Sequence, residues 1–182
     1  YKIGGVNVTT LGFRMGMRLN YSWLVYSHGR TTRISTPNDV LTGPMSGCII
    51  AVWTEQGRRY VGHVGTVESS EVINQKVKGT FGSMMPQNTI GFNPAAAWNP
   101  SEIRSLMSKF KKLPAFRIMA LVTTANQFYS VLMFKINGTT TEWCVGGNKK
   151  VSSINYQALK AKFIPRGSLS DGRAFGSSKF IK

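Results

Sequence analysis

Two strand-like runs set close together constrain this chain more than any other feature. Ile49 to Thr54 reads Ile-Ile-Ala-Val-Trp-Thr, and Arg59 to Thr66 carries apolar residues at alternate positions. Between them lies Glu55-Gln56-Gly57-Arg58, polar and holding a glycine. Strand formers on both sides of a short glycine-containing loop predict a β-hairpin. The register of that hairpin then decides which side chains share a face, because a slip of one residue turns every side chain over.

The register matters because of what the hairpin carries. Cys48, one of two cysteines, precedes the first run, and His63, one of two histidines, lies in the second. A two-residue loop at Glu55-Gln56 sets Cys48 directly across from His63. A four-residue loop ending at Arg58 sets His63 opposite Ile50 and diagonal to Cys48 on the same face. Facing Cβ atoms lie about 4.5–5.5 Å apart and diagonal ones roughly 7–8 Å, so both registers let a thiol and an imidazole meet. A three-residue loop puts them on opposite faces unless a bulge restores the phase.

Taken singly, a cysteine is a small buried hydrophobe and a histidine a structural or surface residue. Two local features point to chemistry instead. Gly47 lets a substrate approach the backbone closely, and the Gly47 and Cys48 amides are then candidate donors to an oxyanion. Thr42, six residues before the cysteine, is a candidate to orient the imidazole, as the third group does in catalytic triads. Asp39, Glu68 and Glu71 are the carboxylates available for the same task, none of them preferred to Thr42.

Met45-Ser46-Gly47-Cys48 together with His63 resembles the Leu-Ser-Gly-Cys motif of the bacterial toxin glutamine deamidases. That superfamily includes the cytotoxic necrotizing factor catalytic domain and Burkholderia lethal factor, with chemoreceptor deamidases as distant members. The resemblance runs from Thr42 to Thr66, with Met45 in place of leucine and Pro44 stiffening the approach to the turn. It implies Cys48 as nucleophile, His63 as its partner and Thr42 as the third member, with no cofactor and no metal. It implies a protein substrate bearing a reactive glutamine, a β-sandwich core, and a bacterial effector or toxin domain secreted to act in the cytosol of a target cell. If a primary amine replaces water, the same site becomes a transglutaminase.

Charge is the second constraint. Lys plus Arg number 23 against 7 acids, a net charge of +16. A field of this size steers a protein toward acidic partners: an acidic target face, an acidic inhibitor or immunity protein, anionic membrane or nucleic acid. The cations cluster at Lys109, Lys111 and Lys112, at Lys149 and Lys150, and from Lys160 and Lys162 through Arg166, Arg173, Lys179 and Lys182. The alternative function is therefore a basic nucleic-acid-binding or nuclease toxin domain without Cys-His catalysis. Against a nuclease, the chain offers no histidine cluster and no carboxylate pair on one element. It also lacks CxxC, HxxH and GxxxxGK[ST] patterns, so neither a zinc site nor a phosphate loop is expected. Cys48 and Cys144 do not make a disulfide framework. The longest apolar run, near Met119 to Val122, is too short to cross a bilayer. Tyr1 in place of an initiator methionine, with no signal-peptide pattern, is expected of a piece cut from a longer protein.

The remaining patterns predict an α+β fold, a mostly antiparallel β-sandwich or sheet core with flanking helices. The resemblance implies a single deamidase-like domain over residues 1–164, and 165–182 is expected to be a basic Gly/Ser-rich arm. Strands are expected over Met17–Tyr26, Thr31–Thr36, Phe116–Thr124 and Phe128–Ile136. An Asn137-Gly138 turn leads into a strand over Thr140–Val145 that holds Cys144. Ser69 or Ser70 caps a short helix over Ser70–Val77, and Gly79–Ala97 reads as a loop. Asn99-Pro100-Ser101-Glu102 opens a helix that buries Ile103, Leu106, Met107 and Phe110. Tyr156–Phe163 is a final helix, and His28 sits on an exposed turn.

Overall fold

A computed structural model describes residues 2–3, 6–9, 21–109, 115–135 and 142–163. In chain order the strands are β1 (Lys2–Ile3), β2 (Val6–Thr9), β3 (Tyr21–Leu24), β4 (Thr31–Ile34), β5 (Asp39–Thr42), β6 (Ile49–Glu55) and β7 (Arg58–Val64). Helix α1 (Glu71–Met84), strand β8 (Ile90–Phe92), a 3-10 turn at Ala95–Ala97 and helix α2 (Pro100–Lys109) come next. Strands β9 (Phe116–Val122), β10 (Phe128–Lys135) and β11 (Glu142–Val151) precede helix α3 (Tyr156–Phe163).

The strands form two mostly antiparallel sheets, so the α+β expectation holds, and neither sheet closes into a barrel. One sheet runs β1-β2-β11-β10-β9-β5-β3 and the other β4-β7-β6-β8. The pairs β3–β5 and β11–β2 are parallel. Between the sheets lies the main core. Val40, Ile118, Ala120, Val122, Phe128, Leu132, Phe134 and Cys144 meet Cys48, Ile50, Val52, Val61 and Phe92 there. Ile49, Ala51 and Trp53, on the other face of β6, pack with Val77 and Phe81 of α1 and Leu159 and Phe163 of α3. Strand β6 is thus covered on both faces, which is why it reads as an unbroken apolar run rather than an alternating one. A chain of rings locks the helix side: Trp53 meets Phe81 edge-on at 5.6 Å, and Phe81 meets Phe163 at 5.4 Å.

The hairpin takes the register that sets Ile50 against His63, with Glu55 paired to Arg58. This is the diagonal arrangement of Cys48 and His63, reached through a two-residue turn rather than four loop residues. Gln56 and Gly57 both have positive φ, 51° and 74°. That is the backbone of a turn whose twist matches the strands it joins.

Two other expectations are corrected in the same region. The helix expected to end at Val77 runs on to Met84, because Val77 and Phe81 recur one turn apart and both bury against Trp53. Ser70 is its cap, its hydroxyl accepting the Ile73 N–H at 3.3 Å. The Gly79–Ala97 loop is consequently the end of α1, the short strand β8 and the 3-10 turn. Asn99 caps α2 as expected, accepting the Glu102 N–H at 2.7 Å. Strand β5 was not foreseen. Residues 17–20, Phe110, the Asn137-Gly138 turn and the 165–182 arm lie outside the described residues.

Several cations lie over aromatic rings, two of them while also paired with an acid. Arg33 lies over Tyr60, Arg117 over Trp143 and Lys149 over Trp98, each at 4.4–4.5 Å. Ion pairs among the described residues include Arg33–Glu55 and Lys149–Glu102, both 2.6 Å.

The turn gives a direct test of the hairpin. A Cβ at Gly57 would meet nothing within 4 Å, so only the left-handed φ opposes a side chain. Gly57→Ala is expected to lower stability by about 1 kcal/mol and Gly57→Asn by less, read from urea midpoints with unchanged slope.

Candidate functional site

The site is built where the two sheets face each other. Strand β5 joins β9 with Thr42 opposite Ala120, and alternation from Val40 turns the Thr42 side chain inward. Strand β7 brings His63 to the same space from the opposing sheet. Cys48 enters from the residue before β6 and is 1% exposed, while Thr42 and His63 are fully buried.

Hydrogen bonds set the state of the imidazole. The Thr42 hydroxyl donates to the Leu24 carbonyl at 2.7 Å and lies 2.8 Å from His63 Nδ1. With its proton committed to Leu24, the Thr42 oxygen accepts from Nδ1, which assigns the proton to Nδ1 and leaves Nε2 a bare lone pair. Among the described residues, Nε2 has no hydrogen-bond partner. Burial holds the His63 pKa down at about 4, so the ring is neutral at pH 7.

Cys48 Sγ points to Thr66, 3.5 Å from its hydroxyl oxygen and 4.0 Å from its carbonyl oxygen. Over both groups lies Tyr26, half-buried, from the turn between β3 and β4. Its ring centroid is 5.0 Å from that of His63, and its hydroxyl donates to the Thr66 carbonyl at 2.6 Å. Burial pushes the Tyr26 phenol above its ordinary range, and Cys48 and Glu68 add to the effect. Gly65 makes this turn fit. A Cβ there would collide with the Ser27 carbonyl, while the Gly65 N–H donates to Arg30 O at 3.0 Å.

Cys48, His63, Thr42 and Gly47, the residues singled out from the sequence, occupy one neighbourhood, but the Cys48 sulfur is turned to Thr66 and makes no hydrogen bond to His63, so the expected thiol–imidazole contact is not formed. Gly47 is half-exposed beside exposed Ser46, and no backbone carbonyl among the described residues takes up the Gly47 or Cys48 N–H. The three candidate carboxylates serve elsewhere. Asp39 accepts the Thr124 N–H at 2.8 Å, Glu71 accepts from Gln75 at 2.6 Å, and Glu68 is exposed. His28 is exposed, as expected, with its ring 4.8 Å from that of Tyr26. Cys144 is free and buried in the inter-sheet core. Sequence reasoning missed Tyr26 and Thr66, which no motif or spacing marks.

Among the described residues, no group of three His, Cys, Asp or Glu side chains is placed to hold a metal ion. No described helix is long and apolar enough to cross a membrane. A surface cavity of about 450 Å³ lies between β8 and α3, and shares no residue with the Cys48 neighbourhood. Its two asparagines are committed to structure: Asn88 pairs with the Thr54 backbone, and Asn155 caps α3 through the Ala158 N–H. Compared with protein-family models, curated proteins and solved structures, the chain matches none.

The buried imidazole links stability to pH. Its folded pKa of about 4 lies below the unfolded value of 6.5, so the unfolded chain binds the extra proton in between. The contribution is fully present above about pH 6.5 and is lost as pH falls toward 4. Between pH 7 and pH 5 this group alone is expected to remove about 2 kcal/mol. His63→Asn keeps an N–H donor for Thr42 and cannot titrate, so its urea midpoint should be flatter over that interval; equal slopes would contradict the assignment.

Proposed function

We propose that this chain is a cysteine-dependent protein glutamine deamidase. The observation that carries the reading is the imidazole held by Thr42, neutral, with its free nitrogen on the same sheet face as the Cys48 thiol. A base needs its nitrogen unoccupied, and a ring whose pKa burial holds at about 4 takes a thiol proton only once the site opens and that burial is relieved. The resemblance of Met45–Cys48 and His63 to the toxin deamidases points the same way.

The chemistry follows from the residues. Cys48 rotates its sulfur from Thr66 toward Nε2, which takes the thiol proton as the sulfur bonds to the glutamine side-chain carbonyl carbon. The Gly47 and Cys48 amides donate to the resulting oxyanion. His63 returns the proton to nitrogen, the C–N bond breaks, and ammonia leaves a thioester. Water, giving its proton to His63, then attacks the thioester to yield glutamate, and the sulfur recovers that proton. A primary amine in place of water gives transamidation. Thr42 keeps the imidazole in the tautomer every step requires.

The net charge of +16 fits a target with an acidic face and, where one exists, an acidic inhibitor. Delivery as a bacterial effector into a target cell belongs to the same proposal. The charge also favours a second reading, a nucleic-acid-binding toxin domain, whose binding falls steeply with salt and is indifferent to Cys48.

The test is to incubate the chain with target-cell extract and map glutamines that gain about one dalton, the mass signature of amide hydrolysis by an acyl-enzyme route. The parent protein should modify a defined glutamine, and Cys48→Ser and His63→Ala should each lower the rate by about a thousandfold or more. Equal modification by parent and Cys48→Ser, or nucleic-acid binding as the sole Cys48-independent activity, would sink the deamidase reading.

A further inference from the structure

We infer that the Tyr26 side chain is the door of this site, and that its hydroxyl stands where the substrate's carboxamide N–H binds, on the carbonyl of Thr66. The inference takes its substrate from the deamidase reading, but the door itself can be tested apart from activity.

Cys48 and His63 are 1% and 0% exposed, so neither can meet a substrate without a movement. Tyr26, partly exposed, lies against both: its ring centroid is 5.0 Å from that of buried His63, and its hydroxyl shares the Thr66 carbonyl with Cys48. The same ring is 4.8 Å from that of exposed His28. Its hydroxyl bonds to Thr66 O, so a rotation about its own side-chain bonds gives up one hydrogen bond together with the ring's packing on His63 and His28. The backbone of the turn need not follow: Gly65 N–H holds Arg30 O, and Arg30 N–H holds Ser27 O.

What the movement uncovers has a chemical preference. Thr66 O lies 4.0 Å from Cys48 Sγ and accepts the Tyr26 hydroxyl at 2.6 Å. Once the hydroxyl leaves, a buried carbonyl within reach of the nucleophile needs a new donor. A primary carboxamide supplies one from its nitrogen while its oxygen faces the Gly47 and Cys48 amides. A carboxylate has no proton to give and sets its lone pairs against those of the carbonyl. Thr66 O thus favours the amide substrate and discriminates against the acid product. Tyr26 is accordingly an access residue, and the Thr66 backbone a specificity determinant.

Alkylation of the whole chain, mapped by peptide mass, reads both parts, and Cys144 is the internal control because it is equally buried, at 1%. Tyr26→Phe removes only the hydroxyl and should speed iodoacetamide labelling of Cys48 about five- to tenfold, with Tyr26→Ala faster still. Cys144 should stay unlabelled throughout. In Tyr26→Phe, the preference of Cys48 for iodoacetamide over iodoacetate should exceed that of free cysteine by about tenfold, although the basic protein attracts the anion. Unchanged Cys48 rates in both variants overturn the door. So does Cys144 accelerating in step with Cys48, which marks general loosening. A reagent preference equal to that of free cysteine overturns the role of Thr66. Faster Cys48 labelling with no glutamine modified in any extract supports the door and removes the deamidase reading alone.

Discussion

The hydrogen bond between Thr42 and His63 is the contact on which the site depends, because it joins the two sheets through their shared core. An imidazole buried without partners would lose two hydrogen bonds with water, each worth roughly 1–3 kcal/mol to leave unmade. Thr42 satisfies one nitrogen and in doing so assigns its proton. The other nitrogen is left unsatisfied, at a cost the surrounding packing must offset. The inter-sheet core that includes Val40, Ile50, Val61, Ile118, Ala120 and Val122 supplies that packing. The bond also ties three segments distant in the chain, since Thr42 holds Leu24 as well as His63.

How much of this was legible in the residues differs by element. The β6–β7 hairpin was, because strand formers flank a glycine, and both matching registers keep Cys48 and His63 on one face. The turn itself was resolved only by structure: Gln56 and Gly57 share positive φ, and the strands continue through Glu55 and Arg58. Helix α2 was legible from its cap and its first-turn proline. The second half of α1 was not, because Gly79 and Gly82 mimic a loop, while Phe81 reveals its place only when Trp53 and Phe163 surround it. Strand β5 escaped notice since Asp39-Val40-Leu41-Thr42 is short and bounded by Pro37 and Pro44. Yet it is β5 that delivers Thr42, the residue marked only by its spacing from Cys48.

Tyr26 shows a different limit. It lies near the end of a predicted strand, where an aromatic residue is unremarkable, and its partners Thr66, His63 and Cys48 come from the opposing sheet. Contacts made across a sandwich leave no trace in local periodicity. The cations behave similarly: their number is visible in the sequence, but the rings beneath Arg33, Arg117 and Lys149 are supplied by tertiary packing. A chain with 23 cations and 7 acids uses rings to seat part of its charge and keeps the rest for solvent or partners.

The site rests on the state of one ring: His63 neutral, protonated at Nδ1 by way of Thr42, and without a proton at Nε2. Long-range nitrogen–proton NMR on the chain labelled at histidine reads this state directly. A protonated-type Nδ1 and an unprotonated-type Nε2 are expected for His63, unchanged from pH 7 down to about pH 5, given a pKa of about 4. A proton on Nε2 instead, or titration of this ring near pH 6.5, would contradict it.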